Sequence, residues 1–198
     1  MIRVYAAAAA YRDEGRIVEH HADRDVTFGT FRTRFERATG DFAFDYECNE
    51  GADAFLVRSD GDPFLQIRTA NDFPLPPASS LVDAIATITG ITMGAAYYVP
   101  SLLFRAGLGG TRWLQHDDAP LLRAEVTVDE RRTIEIALGH APVDERLVVD
   151  ARTFAILRVV VPQAPLTEDQ RRRYAALGMP RPRDHEPALT VVYEPTLE

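Results

Sequence analysis

The chain predicts an α+β protein: a curved antiparallel β-sheet of half-barrel form, covered by a few α-helices. Three observations predict it. Between residues 26 and 70, large apolar side chains alternate with polar ones around tight turns. Phe42, Phe44, Tyr46 and Cys48 hold every second position, with Ala43, Asp45 and Glu47 between them. A strand turns successive side chains to opposite faces, so this spacing puts three aromatic rings on one side of a sheet. Phe31 and Phe35 repeat the pattern on the preceding strand, and Phe55 and Val57 on the following one. The third observation is that one helical section, rich in Leu, Ile and Phe, interrupts the strands and is too apolar to face water.

Taken in order, Met1–Tyr11 contains the alanine run Ala6–Ala10, which has high helix propensity and predicts a short opening helix. Gly15 is expected to break that run, with a first strand over Arg16–Ala22. The second strand spans Val26–Arg37, with a bulge at Gly29 because Phe28 and Phe31 break strict alternation. Asp41–Asn49 is the third strand. Ala54–Ser59 and Phe64–Thr69 follow, joined by the hairpin signal Asp60-Gly61-Asp62. Pro74, Pro76 and Pro77 end this section, since proline cannot donate to a ladder.

Ser80-x-x-Asp83 resembles a capping box, Leu81, Ile85 and Ile88 share a helix face, and Gly90 supplies a stop. A second helix is expected over Tyr98–Ala106, ended by Gly107 and the Gly109-Gly110 pair. Strands resume at Ala124–Val128, Thr133–Ala137, Glu145–Asp150 and Phe154–Val161, with Asp150-Ala151-Arg152-Thr153 as the last hairpin turn. Val159-Val160-Val161 lacks alternation and predicts burial on both faces. Thr167-x-x-Gln170 opens a third helix, and Leu189–Tyr193 closes the chain. The organisation expected is one domain over residues 1–198, with an inserted helix at 166–178.

Composition narrows the function classes. The 198 residues carry a formal charge of −8, which argues against nonspecific nucleic-acid binding. All 22 basic side chains are arginine, so neither a Schiff base nor a lysine general base is available. The single cysteine, Cys48, excludes an intrachain disulfide and a cysteine-based zinc cluster, and reads as a small buried hydrophobe. No apolar run is long enough to span a membrane. The opening is too short and weakly apolar for a secretion signal.

The order of the motifs resembles the LolA/LppX-like bacterial lipoprotein-carrier superfamily, and its uncharacterised predicted-periplasmic branch most closely. The residues that carry this are Tyr11-Arg12-Asp13-Glu14-Gly15, Thr30-Phe31-Arg32-Thr33-Arg34-Phe35, Arg58-Ser59-Asp60-Gly61 and Ser80-Leu81. Ile88-Thr89-Gly90-Ile91-Thr92, Val99-Pro100-Ser101-Leu102-Leu103 and Arg146-Leu147-Val148-Val149-Asp150, leading to Leu157-Arg158, complete the set. The resemblance covers roughly residues 5–161. It implies an apolar cavity for acyl chains or other hydrophobic molecules, no catalytic residues and an envelope or periplasmic setting; the cytoplasm stays open because no signal is visible.

Chemistry is sparse. His20-His21 are adjacent on an expected strand, so they point to opposite faces and cannot readily share a metal. His116-Asp117-Asp118 falls in an expected loop, and His140 and His185 read as solvent-facing. Arg171-Arg172-Arg173 reads as a solvated helix face. No nucleophile elbow, zinc-protease motif or phosphate-cradling loop is present. No metal or cofactor is expected. The aromatic face is either an ordinary core or a pocket.

Three functions follow. The first is non-enzymatic carriage of a hydrophobic small molecule or lipid, or a lipidated partner. Phe31, Phe35, Phe42, Phe44, Phe55, Leu81, Ile85, Leu102, Leu103 and Phe104 would bind it. The second is an enzyme using the same cup, with His20, His21 or Asp45 as the titratable group. The third is a solid-core module that binds a protein partner through a sheet edge or the Arg171–Arg173 helix.

Overall fold

A computed structural model describes residues 1–20, 24–48, 53–58, 65–69, 78, 80–89, 92–104, 121–138, 145–161, 168–169, 172, 176 and 189–198. Ten strands form one antiparallel sheet. Five lie in the first part of the chain: β1 (Ala10–His20), β2 (Asp25–Glu36), β3 (Asp41–Cys48), β4 (Asp53–Arg58) and β5 (Leu65–Thr69). Helices α1 (Ile2–Ala7), α2 (Leu81–Thr89) and α3 (Ala95–Leu103) precede and follow them. The remainder is β6 (Leu121–Val128), β7 (Arg131–Leu138), β8 (Glu145–Asp150), β9 (Ile156–Val161) and β10 (Leu189–Leu197).

The spatial order is β5-β4-β3-β2-β1-β10-β9-β8-β7-β6. Two meanders are thus joined by the last strand, which slides between β1 and β9. The sheet does not close, so the α+β half-barrel expectation holds. Register shifts between Ile17 and Val18, between Leu122 and Ala124, and between Val148 and Val149 bend it. The first leaves Phe28 as the extra residue on β2, next to the glycine at which the sequence predicts a bulge.

The opening differs from the expectation in one instructive way. Gly15 does not break the chain; it lies in the middle of an eleven-residue strand. A Cβ there would sit 2.1 Å from Phe31 Cζ and 2.6 Å from the Val192 carbonyl oxygen. The glycine is where a neighbouring ring fills the space of a missing side chain, which is a strand role and not a stop. The strand therefore starts at Ala10, and α1 ends at Ala7.

Other elements match closely. The Asp83 N–H donates to Ser80 Oγ at 3.2 Å, the cap read from the sequence. Helix α3 begins three residues earlier than expected, after Met93 and Gly94 at positive φ of 48° and 86°. Phe154 is not in a strand but at φ 58° in the turn before β9. Val159 is buried, whereas Val160 and Val161 are half-buried, so that run is not covered on both faces. Glu168, Asp169, Arg172 and Ala176 are helical, and Arg172 pairs with Glu168 at 2.8 Å. Arg171, Arg173 and the hairpin at Asp60-Gly61-Asp62 lie outside the described residues, as do Pro74, Pro76, Pro77 and Gly107–Gly110.

Candidate functional site

The inner face of the sheet is built by strict alternation. Tyr11, Asp13 and Ile17 from β1, Phe31, Thr33 and Phe35 from β2, and Phe42, Phe44, Tyr46 and Cys48 from β3 are all buried. β10 adds Val191 and Tyr193. Helix α2 lays Ala84, Ile85 and Ile88 on this surface, and α3 is buried along almost its whole length. The hydroxyls carried in with α3 are satisfied locally: Ser101 Oγ donates to the Tyr98 carbonyl, and Thr92 Oγ1 to that of Ile88.

Rings of the sheet and of the residue after α3 touch one another. Phe31 stacks on Phe44 with centroids 5.7 Å apart and meets Tyr193 edge-on at 5.3 Å. Phe104, just past α3, sits edge-on against both Phe35 and Phe42 at 5.2 Å. Such geometries add to what area burial alone contributes. Of the ten residues expected to line a cup, the structure brings Phe31, Phe35, Phe42, Phe44, Ile85, Leu102 and Leu103 together as buried members of one cluster. Leu81 and Phe104 pack against it half-buried. The backbone register pairs Phe55 with Asp45, and Leu56 with Phe44; the Phe55 side chain lies outside the described residues.

Two residues that sequence reasoning missed organise this interior. Arg37 lies just past β2 and ties α1 and α3 to the sheet. Its Nε donates to the Ala8 carbonyl at 2.7 Å and its Nη2 to that of Tyr5 at 2.9 Å. Longer bonds of 3.4 Å from Nη1 and Nη2 reach the Leu103 carbonyl at the end of α3. Its guanidinium also lies 5.0 Å from the Phe35 ring centre, within cation–π range. Nothing in the spacing of a lone arginine before a turn announces this. Asp13 is the second: it is 4% exposed, accepts the Tyr11 hydroxyl on Oδ2, and accepts the Thr33 N–H on Oδ1 at 2.8 Å. Burial pushes its carboxyl up to about 6, against the downward pull of those hydrogen bonds. Inward alternation with Tyr11 and Ile17 was the available signal, masked by reading Gly15 as a break.

The titratable groups expected of an enzyme sit elsewhere. Asp45 alternates with the buried Phe44 and Tyr46 and approaches Arg34 on the other face at 3.9 Å. His20 ends β1, with Nδ1 2.9 Å from Asp25 Oδ1 and Nε2 2.7 Å from Thr190 Oγ1. His21, His116, His140 and His185 lie outside the described residues. Among the described residues no group of three His, Cys, Asp or Glu is placed to hold a metal ion. No described helix is long and apolar enough to cross a membrane.

A cleft of about 760 Å³ lies over β10, β1, β2 and β3, lined by the outward Glu14, Arg16, Thr30, Arg32, Asp45, Glu47 and Glu194 and also by Gly15, Phe31 and Tyr46. Its arginines are engaged, Arg16 with Glu194 at 3.4 Å and Arg32 with Glu14 at 3.3 Å. These pairs are exposed and contribute about 0–1 kcal/mol each.

No family model and no curated protein matches this chain. Several solved structures do. The MucA/MucB complex of Pseudomonas aeruginosa is 15% identical at a TM-score of 0.46, covering 98% of this chain and 54% of the matched one. A crystal structure of MucB alone gives 14% and 0.44, covering 98% and 56%. This chain thus spans about half the length of the MucB chains it matches. A LolA superfamily protein from Nitrosomonas europaea is 10% identical at a TM-score of 0.30, covering 100% of this chain and 90% of that one.

Proposed function

We propose that this protein binds and carries a hydrophobic molecule, an acyl chain or a lipid, between the aromatic face of the sheet and helices α2 and α3. The observation that supports this is the seam between them. Buried rings lie on the sheet, and half-buried Leu81, Val82, Met93, Tyr97 and Phe104 pack against them, which would give a ligand an apolar rim. A rim of that kind is left where helices lie on an open sheet, and an apolar ligand would remove it from water at about 25 cal/mol per Å². Phe35, Phe42, Leu102, Leu103 and Phe104 would meet the ligand first.

Because the rings touch one another, a ligand enters only if α3 moves. The Arg37 bonds to Leu103, at 3.4 Å, are longer than those to Ala8 and Tyr5, so Arg37 holds the end of α3 less closely than α1. Titration with a fluorescent fatty acid should show saturable uptake, weakened at least tenfold by Phe104→Asp in a variant whose circular dichroism is unchanged. Absence of uptake, with no lipid released on organic extraction, would overturn the carrier reading. The ring-on-ring packing then favours the second reading, a solid-core module that binds a protein.

A further inference from the structure

One carboxyl inside the helix-covered face plays no part in hydrophobic binding. Asp13 is met from every side by neutral groups. Tyr11 on its own strand and the Thr33 backbone N–H from β2 bond it directly. Tyr5 from α1 and Tyr193 from β10 feel its charge, and burial drives the hydroxyls of Tyr5, Tyr11 and Tyr193 well above their ordinary range. Among the described residues no arginine or histidine is ion-paired with it. The cluster therefore contains one group able to change charge near neutrality.

Its position gives that change a route outward. The Tyr11 ring lies 5.7 Å from the Tyr5 ring, and the Tyr5 hydroxyl accepts the Ile156 N–H at 2.7 Å. Thus Asp13, Tyr11, Tyr5 and Ile156 form one line from β1 through α1 to the first residue of β9. We propose that Asp13 is a proton-operated joint: protonated, it lets α1, β1, β2, β9 and β10 pack as one unit, and ionised, it loosens the seat of α1 at Ile156. In the protonated form the new O–H donates to Tyr11, whose hydroxyl turns to accept, while the Thr33 N–H keeps its acceptor. In the ionised form a full charge sits in an apolar cluster without a counter-ion, and water is drawn into the Tyr11–Tyr5 seam.

The sign follows from the raised value. Between the ordinary carboxylate range near 3.8 and about 6, the folded protein binds more protons than the unfolded one. The stabilising contribution is complete below that window and is lost as pH rises through about 6. Across it the folding equilibrium constant attributable to Asp13 falls by about two powers of ten. The quantity to read is wild type minus Asp13→Asn.

The test is thermal and denaturant unfolding of both proteins from about pH 4 to pH 8, with amide exchange at Ile156 corrected for intrinsic rates. The expected result is a stability difference that grows in favour of Asp13→Asn as pH rises from about 4 to about 6 and then levels off, with Ile156 protection falling in the wild type alone. Parallel pH profiles, or Ile156 protection independent of Asp13, would overturn the proposal. Should Asp13→Asn fail to fold, the wild-type Asp13 carboxyl carbon, followed by NMR, decides: a midpoint in the ordinary carboxylate range ends the idea.

Discussion

The two halves of the sheet bury different chemistry. On β1–β3 and the elements beside them the inner face is aromatic and carries polar atoms inside: the buried Tyr11 and Tyr46, with Tyr5 of α1 and Tyr193 of β10, the Asp13 carboxyl, and Arg37 at the edge. On β8 and β9 it is aliphatic, with Leu147, Val149, Ile156 and Val159 buried and no polar tip among them. Rings must meet at particular angles, and each buried hydroxyl needs a partner. Branched aliphatic chains have only to fill the pleat. The aromatic half is therefore the more exacting to pack, and the aliphatic half the more tolerant. Its polar groups are the buried Thr133 of β7, whose Oγ1 donates to the Val126 carbonyl at 2.8 Å, turns such as Asp129-Glu130, both at positive φ, and exposed pairs such as Arg132 with Glu125 at 3.1 Å.

The largest test of that contrast is truncation on either side. Phe44→Ala removes a fully buried ring that stacks on Phe31 and should cost about 3–5 kcal/mol, whereas Ile156→Val should cost about 0.5–1.5 kcal/mol. Urea unfolding of both variants measures this, and equal losses would erase the distinction. A smaller effect is expected at Gly15→Ala, which forces the Phe31 ring or the β10 backbone to shift and should cost about 1–3 kcal/mol. A loss below a few tenths would mean that the rings are looser than their spacing implies.

The smallest effect lies in the aliphatic half and has the opposite pH sign to that of Asp13. Partial burial pushes the Asp150 carboxyl up, but N–H groups of Thr153 and Arg152, each 2.8 Å from Oδ1, outweigh it and hold the carboxyl below its ordinary value. Its contribution is present above the unfolded carboxylate range and disappears as pH falls through the lowered folded value. Asp150→Ala should cost about 1 kcal/mol at neutral pH. The cost should shrink in acid, as thermal unfolding at two pH values would show.

Cys48 and the β3 aromatics were readable because strand period is local: each residue's face follows from its parity with its neighbours. The Ser80 cap was readable for the same reason, since its hydroxyl reaches a backbone N–H three residues away. Gly15, Asp13 and Arg37 were not. The meaning of Gly15 depends on a ring sixteen positions further along the chain, and that of Arg37 on carbonyls at Tyr5, Ala8 and Leu103.

Taken alone, the amino-acid order determined the α+β class, the aromatic face, the helices that cover it, and the absence of recognisable catalytic motifs. Tertiary structure decided the rest. It inserted β10 between β1 and β9, converting two meanders into one open sheet. It also turned a supposed helix stop into mid-strand packing and enclosed one carboxyl among tyrosines. Those outcomes depend on which distant surfaces meet, and contact energy between residues far apart in the chain leaves no period in the sequence to be read.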